Sequence, residues 1–405
     1  MAEYDPQKVG YLLEVGEEYH NALDMEGFSR MMQSPSYCYK FYWLEAIVKL
    51  ISENKEEVSY NEIIDEMLAN AWYSVLEFHV HLSGLWADGE IRDNLEKAVL
   101  KLPRLSHLPA NVSKIEIKNQ IQRFEKELHP EKMFLTQNVP YKALSGFANK
   151  GEERIDLNSS AGVMMTYYNR INALSPLPYT FGEQKGLDRK IRFHGLWIQM
   201  IQEHMVSILG WIQYEKVRWL QTVNPEVPGL VYKLAPMDEK MRKLSHVRKL
   251  WDGILDMTQI IDVFREEPVK KEDYEVDHFI PWSFVMNDEL WNLMPMDSSL
   301  NGIKSNRLPR WDAFFRKFAA NQYIMYELVQ EKPGIRKLYE MCYRDNLHSI
   351  WASQELYRKG NSREEFYGIL ERNMRPVYDS ARRQGYEVWE KGKTIEVKGD
   401  NNEVC

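Results

Sequence analysis

Apolar positions recur at three- and four-residue intervals through most of this 405-residue chain, the period of helices that bury one face. Trp197, Ile201, Met205, Ile208 and Ile212 form one such stripe. They predict a long helix over about 193–220, stopped by Pro225 and Pro228. Residues 39–51 are apolar on most sides and predict a buried helix. Ser59 with Glu62, and Ser362 with Glu365, have capping-box spacing ahead of apolar runs that begin at Ile63 and Phe366. Pro103, Pro109, Pro130 and Pro140 punctuate the chain between. A further helix is predicted over 236–264. Pro268 ends the helical period, short strands and turns follow to about Pro309, and helices resume after Arg310. TIEVKG in the tail predicts a short strand. The expected architecture is mostly α-helical, with one small α+β module in the C-terminal third. The polar run KGEERIDLNSSAG suggests a first boundary, giving an N-terminal helical domain over 1–150, a central one over 151–264, the module over 265–325 and a C-terminal helical region over 326–405.

Composition changes this picture little. Hydrophobic residues at 44% and charged residues at 28% suit a globular protein with a sizeable core. The three cysteines, Cys38, Cys342 and Cys405, are far apart and never in C-x-x-C spacing, so neither a disulfide framework nor a structural zinc is expected. The first residues, MAEYDPQ, lack an apolar leader core, and no uncharged run reaches membrane length. A cytoplasmic protein without a membrane partner is expected. The formal charge of −8 argues against a basic coat, yet 301–317 carries five basic residues against Asp312 alone, a local charge of +4. A second basic stretch over 240–249 has the pattern of a solvated helix face.

Chemistry concentrates in EVDHFIPWSFVMNDELWNLMPMDSSLNGIKSNRLP, which begins at Glu275. The predicted order is a strand over 274–280, a turn at Asn287-Asp288, a strand over 290–294, and a helix capped by Asp297 or Ser298. Strand alternation sends Asp277 and His278 to opposite faces unless the strand ends or twists there. On the helix, Asn301, Lys304 and Ser305 share a face. Asp277 and Asn301 offer hard oxygens that suit Mg²⁺ or Mn²⁺. His278 can take a proton from water near neutral pH, oriented either by a loop carbonyl or by Asn292. Lys304 offers a positive contact for phosphate, with Arg307 and Arg310 beside it. Together these are the requirements for hydrolysing a phosphodiester bond.

The run D-H-x-I-P, W-N-L-x-P, L-N-x-x-K-S-x-x-L-P resembles the HNH endonucleases, a family with the ββα-metal fold. The resemblance implies that His278 is the general base, Asp277 the acidic metal ligand, Asn292 the residue that holds the loop, and Asn301 the second metal ligand, where many members have histidine. It places Lys304 on the helix that contacts phosphate. Paired zinc knuckles common in the family are missing from this sequence, so packing by Trp282, Phe284, Trp291, Leu293 and Leu300 is expected to hold the module.

Other candidates carry ordinary readings. His79 and His81 are read as packing or solvent residues, His194 and His204 lack ligand spacing, and the aromatic cluster at Tyr37, Tyr39, Phe41, Tyr42 and Trp43 is read as helix core rather than a base-stacking platform. No phosphate loop or dinucleotide fingerprint occurs. The resulting expectation is a metal-dependent endonuclease acting on DNA, with RNA as the alternative substrate and a non-catalytic nucleic-acid-binding or scaffolding protein as the alternative class. By analogy the setting is restriction or anti-phage defence. The helical remainder is expected to restrain, target or oligomerise the nuclease, through a homo-oligomer or a regulatory partner protein.

Overall fold

The computed structural model describes residues 15–32, 35, 37–86, 88–148, 154–234 and 242–390. The start of the helix expected from 236 and the TIEVKG strand lie outside the described residues. Two compact units are present, one of Met1–Pro225 with Leu230–Pro236, the other of Glu226–Gly229 with Met237–Cys405. The polar segment 150–162 falls within the first unit.

The first unit is helical around a short sheet. Helices α1 (Tyr39–Ser52) and α2 (Tyr60–Leu76) pack together, and α3 (Asn94–Ser106) packs on α2. Phe41, Tyr42 and Trp43 are buried in α1, so the aromatic cluster is core. The Ser59 capping box forms at the start of α2. Strands β1 (Glu57–Ser59), β2 (Tyr179–Phe181) and β3 (Lys190–Phe193) make an antiparallel sheet in the order β1-β3-β2. The long helix predicted over 193–220 is two helices, α4 (Gly195–Glu203) and α5 (Met205–Val223). Its stripe of apolar residues is correct, but His204 leaves helical geometry at φ −111° and ψ 19°. Tyr19 sits at this break, its hydroxyl donating to Glu203 at 2.5 Å and its ring edge-on to His204.

The second unit opens with α6 (Ser245–Leu255). This helix ends well before the predicted 264, and further on Asp262 turns the chain by accepting from the N–H groups of Phe264 and Arg265, both at 2.7 Å. Next comes a strand–turn–strand–helix unit: β4 (Tyr274–His278), the short α7 (Trp282–Val285), β5 (Leu293–Asp297) and α8 (Ser298–Lys304). Strands β4 and β5 pair antiparallel from Tyr274↔Asp297 to His278↔Leu293. The second strand therefore begins three residues later than the expected 290, since Leu290–Asn292 form a tight turn. Asp297 caps α8, accepting from Ser299 and Leu300 N–H groups. Then follow β6 (Leu308–Pro309), α9 (Trp311–Glu331), α10 (Pro333–Asn346), α11 (Arg363–Arg383) with its capping box at Ser362, and β7 (Val388–Trp389). Strand β7 pairs parallel with β6.

One hydrophobic cluster runs through this whole unit, from Val247 and Trp251 on α6 through Phe279 and Leu293 to Phe366 and Met374 on α11. Phe279 stacks at 4.7 Å from Phe318 of α9, and Gln322 of α9 donates to the Leu293 carbonyl at 2.6 Å. The α+β module and the helices after it thus share a core. Among the described residues no helix is long and apolar enough to cross a membrane.

Phe366 lies far from the module in sequence and is fully buried in the common core. Phe366→Ala is expected to cost about 3–5 kcal/mol and to lower amide protection in β4 and β5 together with that of α11, as read by hydrogen exchange. Protection that falls in α11 alone would show separate cores.

Candidate active site

Strand β4 divides the candidate residues by its two-residue period. Tyr274, Val276 and His278 lie on one face and Glu275 and Asp277 on the other. Side-chain contacts agree with this division. Tyr274 reaches α6, its hydroxyl donating to Asp252 at 2.7 Å. Glu275 and Asp277 instead meet α8. The Asn301 amide donates to Glu275 Oε2 at 2.5 Å, and the Lys304 ammonium lies 2.8 Å from Asp277 Oδ2. Two rungs three residues apart on the helix thus match two carboxylates two residues apart on the strand.

His278 is 1% exposed and directed to the loop after α7. Its Nε2 donates to the Asn287 carbonyl at 3.2 Å and stands 3.1 Å from Asp288 Oδ1. Both neighbours can only accept, so the proton belongs on Nε2 and the lone pair on Nδ1. Nδ1 is buried and has no hydrogen-bond partner among the described residues. The strand stays regular through His278, which pairs with Leu293. It therefore supplies no twist that turns Asp277 and His278 to one face, and among the described residues no hydrogen bond or ion pair joins His278 to Asp277 or Asn301.

The loop that receives His278 is braced from outside the module. Asp288 accepts from the Lys243 N–H at 3.3 Å and lies 3.6 Å from Arg242 Nε. Burial pushes the Asp288 carboxyl up, but His278, Arg242 and the Lys243 N–H outweigh it and hold it below its ordinary value. Asn346 donates to the carbonyls of Lys243 and Asp288, and Glu289 accepts from the N–H groups of His348 and Ser349, both at 3.0 Å. Burial holds the Glu289 carboxyl above its ordinary value despite those donors. Asn292 is fully buried, and among the described residues its side chain makes no hydrogen bond to His278. Its amide closes a two-way bridge to Ile280, accepting from the N–H and donating to the carbonyl, each at 2.8 Å. Of the two orienting partners open in the sequence, the loop carbonyl is the one present.

Residues 264–310 match the family model of the HNH endonucleases. This segment is an HNH module. No curated protein and no solved structure matches the chain. The match brings nuclease activity as the general function and nucleic acid as the class of substrate.

Metal-ligand chemistry in the HNH module fits a hard cation. Asn301 spends its amide nitrogen on Glu275, which leaves the amide oxygen as its free donor atom on the helix that also carries Lys304 to Asp277. Among the described residues no group of three His, Cys, Asp or Glu side chains converges on a point. Carboxylate and amide oxygens are hard donors, compatible with a divalent cation that keeps water ligands. Lys304, expected at a phosphate, is 1% exposed, and its charge is directed to Asp277. Arg307 folds back on its own helix, donating to the carbonyls of Ile303 and Lys304. Arg310 is exposed just ahead of α9.

His81 contacts Glu96 at 2.8 Å, and burial pushes the His79 imidazole down to about 4. The residues that pattern reading missed are Glu275, Asp288 and Glu289. Strand alternation from Asp277 points to Glu275. Nothing adjacent points to Asp288 or Glu289, because apart from His278 their partners come from 242–243 and 346–349.

Asn292→Ala is expected to destabilise the second unit by about 1–3 kcal/mol for each Ile280 group left unpaired, measured by urea unfolding. Asp288 contributes stability that is present above the ordinary carboxylate pKa of about 4 and is lost as pH falls through its lowered value. Acidification below about pH 4 is therefore expected to lower the melting temperature more in the wild type than in Asp288→Asn. Equal acid sensitivity would show that the Asp288 pairing contributes nothing.

Proposed function

We propose that this protein is a divalent-metal-dependent endonuclease that hydrolyses phosphodiester bonds in DNA, with His278 as the general base. The observation that carries this reading is the imidazole itself. Its Nε2–H is committed to Asn287 and Asp288, which leaves Nδ1 as the nitrogen that takes a proton from the attacking water. The paired Asp288 carboxylate stabilises the imidazolium that results, so Asp288 is a positioning residue for the base.

Asp277 and Asn301 would hold Mg²⁺ or Mn²⁺, and the ion would polarise the phosphate and stabilise the departing alkoxide. Engaging that face of β4 requires Lys304 to give up Asp277, after which its ammonium is available to a phosphate oxygen. Since Asp277 and His278 point to opposite faces, a phosphate served by both must straddle the edge of β4. The two-stranded sheet leaves β4 with β5 as its one strand neighbour, so its other edge is not taken by a strand among the described residues. Arg310, exposed beyond the module, suits the flanking backbone of the substrate.

The Lys304–Asp277 pair also favours a second reading, a nucleic-acid-binding protein in which the ammonium permanently replaces the metal. Supercoiled plasmid with Mg²⁺ or Mn²⁺ separates the two. Cutting is expected from the wild type. His278→Ala is expected to lose about 10²–10⁴-fold in rate, and Asp288→Asn about 10–100-fold, the usual effect of removing a histidine's orienting partner. DNA that shifts in a gel but stays intact with wild type and variants alike would establish the second reading.

A further inference from the structure

Beside the loop that holds His278 lies an open groove of about 1400 Å³. One wall is a face of α11, where Arg372, Arg375, Arg382 and Arg383 recur at helical spacing. The facing wall includes Asn287, Trp291 and Trp351. Asn287 is the residue whose carbonyl receives the His278 N–H, so the groove begins at the base's own support. The Trp291 and Trp351 rings lie 5.3 Å apart, Trp291 buried and Trp351 half-buried. The whole α11 wall lies outside the matched HNH segment.

Four arginines and three carboxylates (Glu226, Glu371 and Asp379) line the groove, a net charge of +1. Several of these charges are paired. Arg375 bonds Asp379 at 3.0 Å, Arg383 bonds Glu226 of the same unit, and Arg372 bonds Glu355 at 2.6 Å. Such exposed pairs are weak and exchange readily, whereas a phosphate offers the planar guanidinium two oxygens. Arg382 is exposed, with no ion pair among the described residues. A row of arginines facing an aromatic pair matches the two parts of a single strand, phosphates on one side and unstacked bases on the other. Bases stacked inside a duplex have no face free for an indole.

We propose that this groove binds a single strand of nucleic acid leading to or from the scissile phosphate, with the α11 arginines on its phosphates and a base against Trp351. The proposal rests on the nuclease reading of the HNH module and adds the strandedness of its substrate. It makes α11 a substrate-binding element and Trp351 the residue that discriminates single strand from duplex.

Fluorescence anisotropy of the full chain tests this, using a labelled single-stranded oligonucleotide and its duplex in EDTA, where hydrolysis is suppressed. Wild type is expected to favour the single strand. Arg372→Gln with Arg382→Gln is expected to weaken single-strand binding about 10-fold and to flatten its salt dependence by about 0.7 in the log–log slope per arginine removed. Trp351→Leu is expected to weaken the single strand about 10-fold and leave the duplex unchanged. Trp351→Phe, which keeps the packing against Trp291, is expected to restore most of that loss and guards against misfolding. Single-strand affinity and salt slope unchanged by the arginine pair, or equal losses for single strand and duplex on Trp351→Leu, overturn the proposal. Plasmid cutting by wild type against His278→Ala is scored separately. Groove-dependent binding without cutting removes the nuclease reading alone, and cutting with groove-independent binding removes the groove alone.

Discussion

The two-residue period of β4 is the constraint on which the rest of this site depends. Neighbouring residues of a strand cannot share a face, so the carboxylate at 277 and the imidazole at 278 are served by different parts of the protein. The Asp277 side meets α8, which is close in sequence and folds by its own Asp297 cap. The His278 side meets a loop with no such local support. It is held by Asn346 and by the backbone N–H groups of Lys243, His348 and Ser349, drawn from more than a hundred residues of chain. The HNH segment carries Asp277 and His278, and the chain on either side of it supplies the contacts that hold the His278 loop.

This division explains the shared core. A strand pair with one seven-residue helix buries too little apolar surface to stand alone. Phe279 and Leu293 find their partners on α9, and Leu308 on the strand that follows α11. In families with zinc knuckles a metal can close such a module. Here Phe318, Gln322 and Trp311 do that work through packing and one buried hydrogen bond, and the cost is dependence on distant chain.

Legibility in the sequence followed the range of the interactions. The helical character, both capping boxes and the order strand–turn–strand–helix were readable because each depends on residues within a few positions of one another. The same holds for Asp297 as a cap. The breaks were not readable: His204 interrupts its helix where Tyr19 packs, and Tyr19 lies 184–185 positions away. The start of β5 was misplaced by three residues because Asn292, strand-like in pattern, is spent bridging Ile280. Lys304 fits the pattern of an exposed phosphate contact, yet spacing along a helix cannot reveal that a carboxylate on the neighbouring strand has already engaged it. Asp288 and Glu289 had no signal, since nothing adjacent indicates what they hold.

Strand β7 pairs Val388 and Trp389 with Leu308 and Pro309, directly after α8. During synthesis β4, β5 and α8 leave the ribosome some eighty residues ahead of β7. A nascent chain therefore exposes the HNH segment before the strand that pairs with Leu308 and Pro309 has been made. Until β7 emerges, Leu308 and Pro309 lack their strand partner and the shared core lacks Trp389.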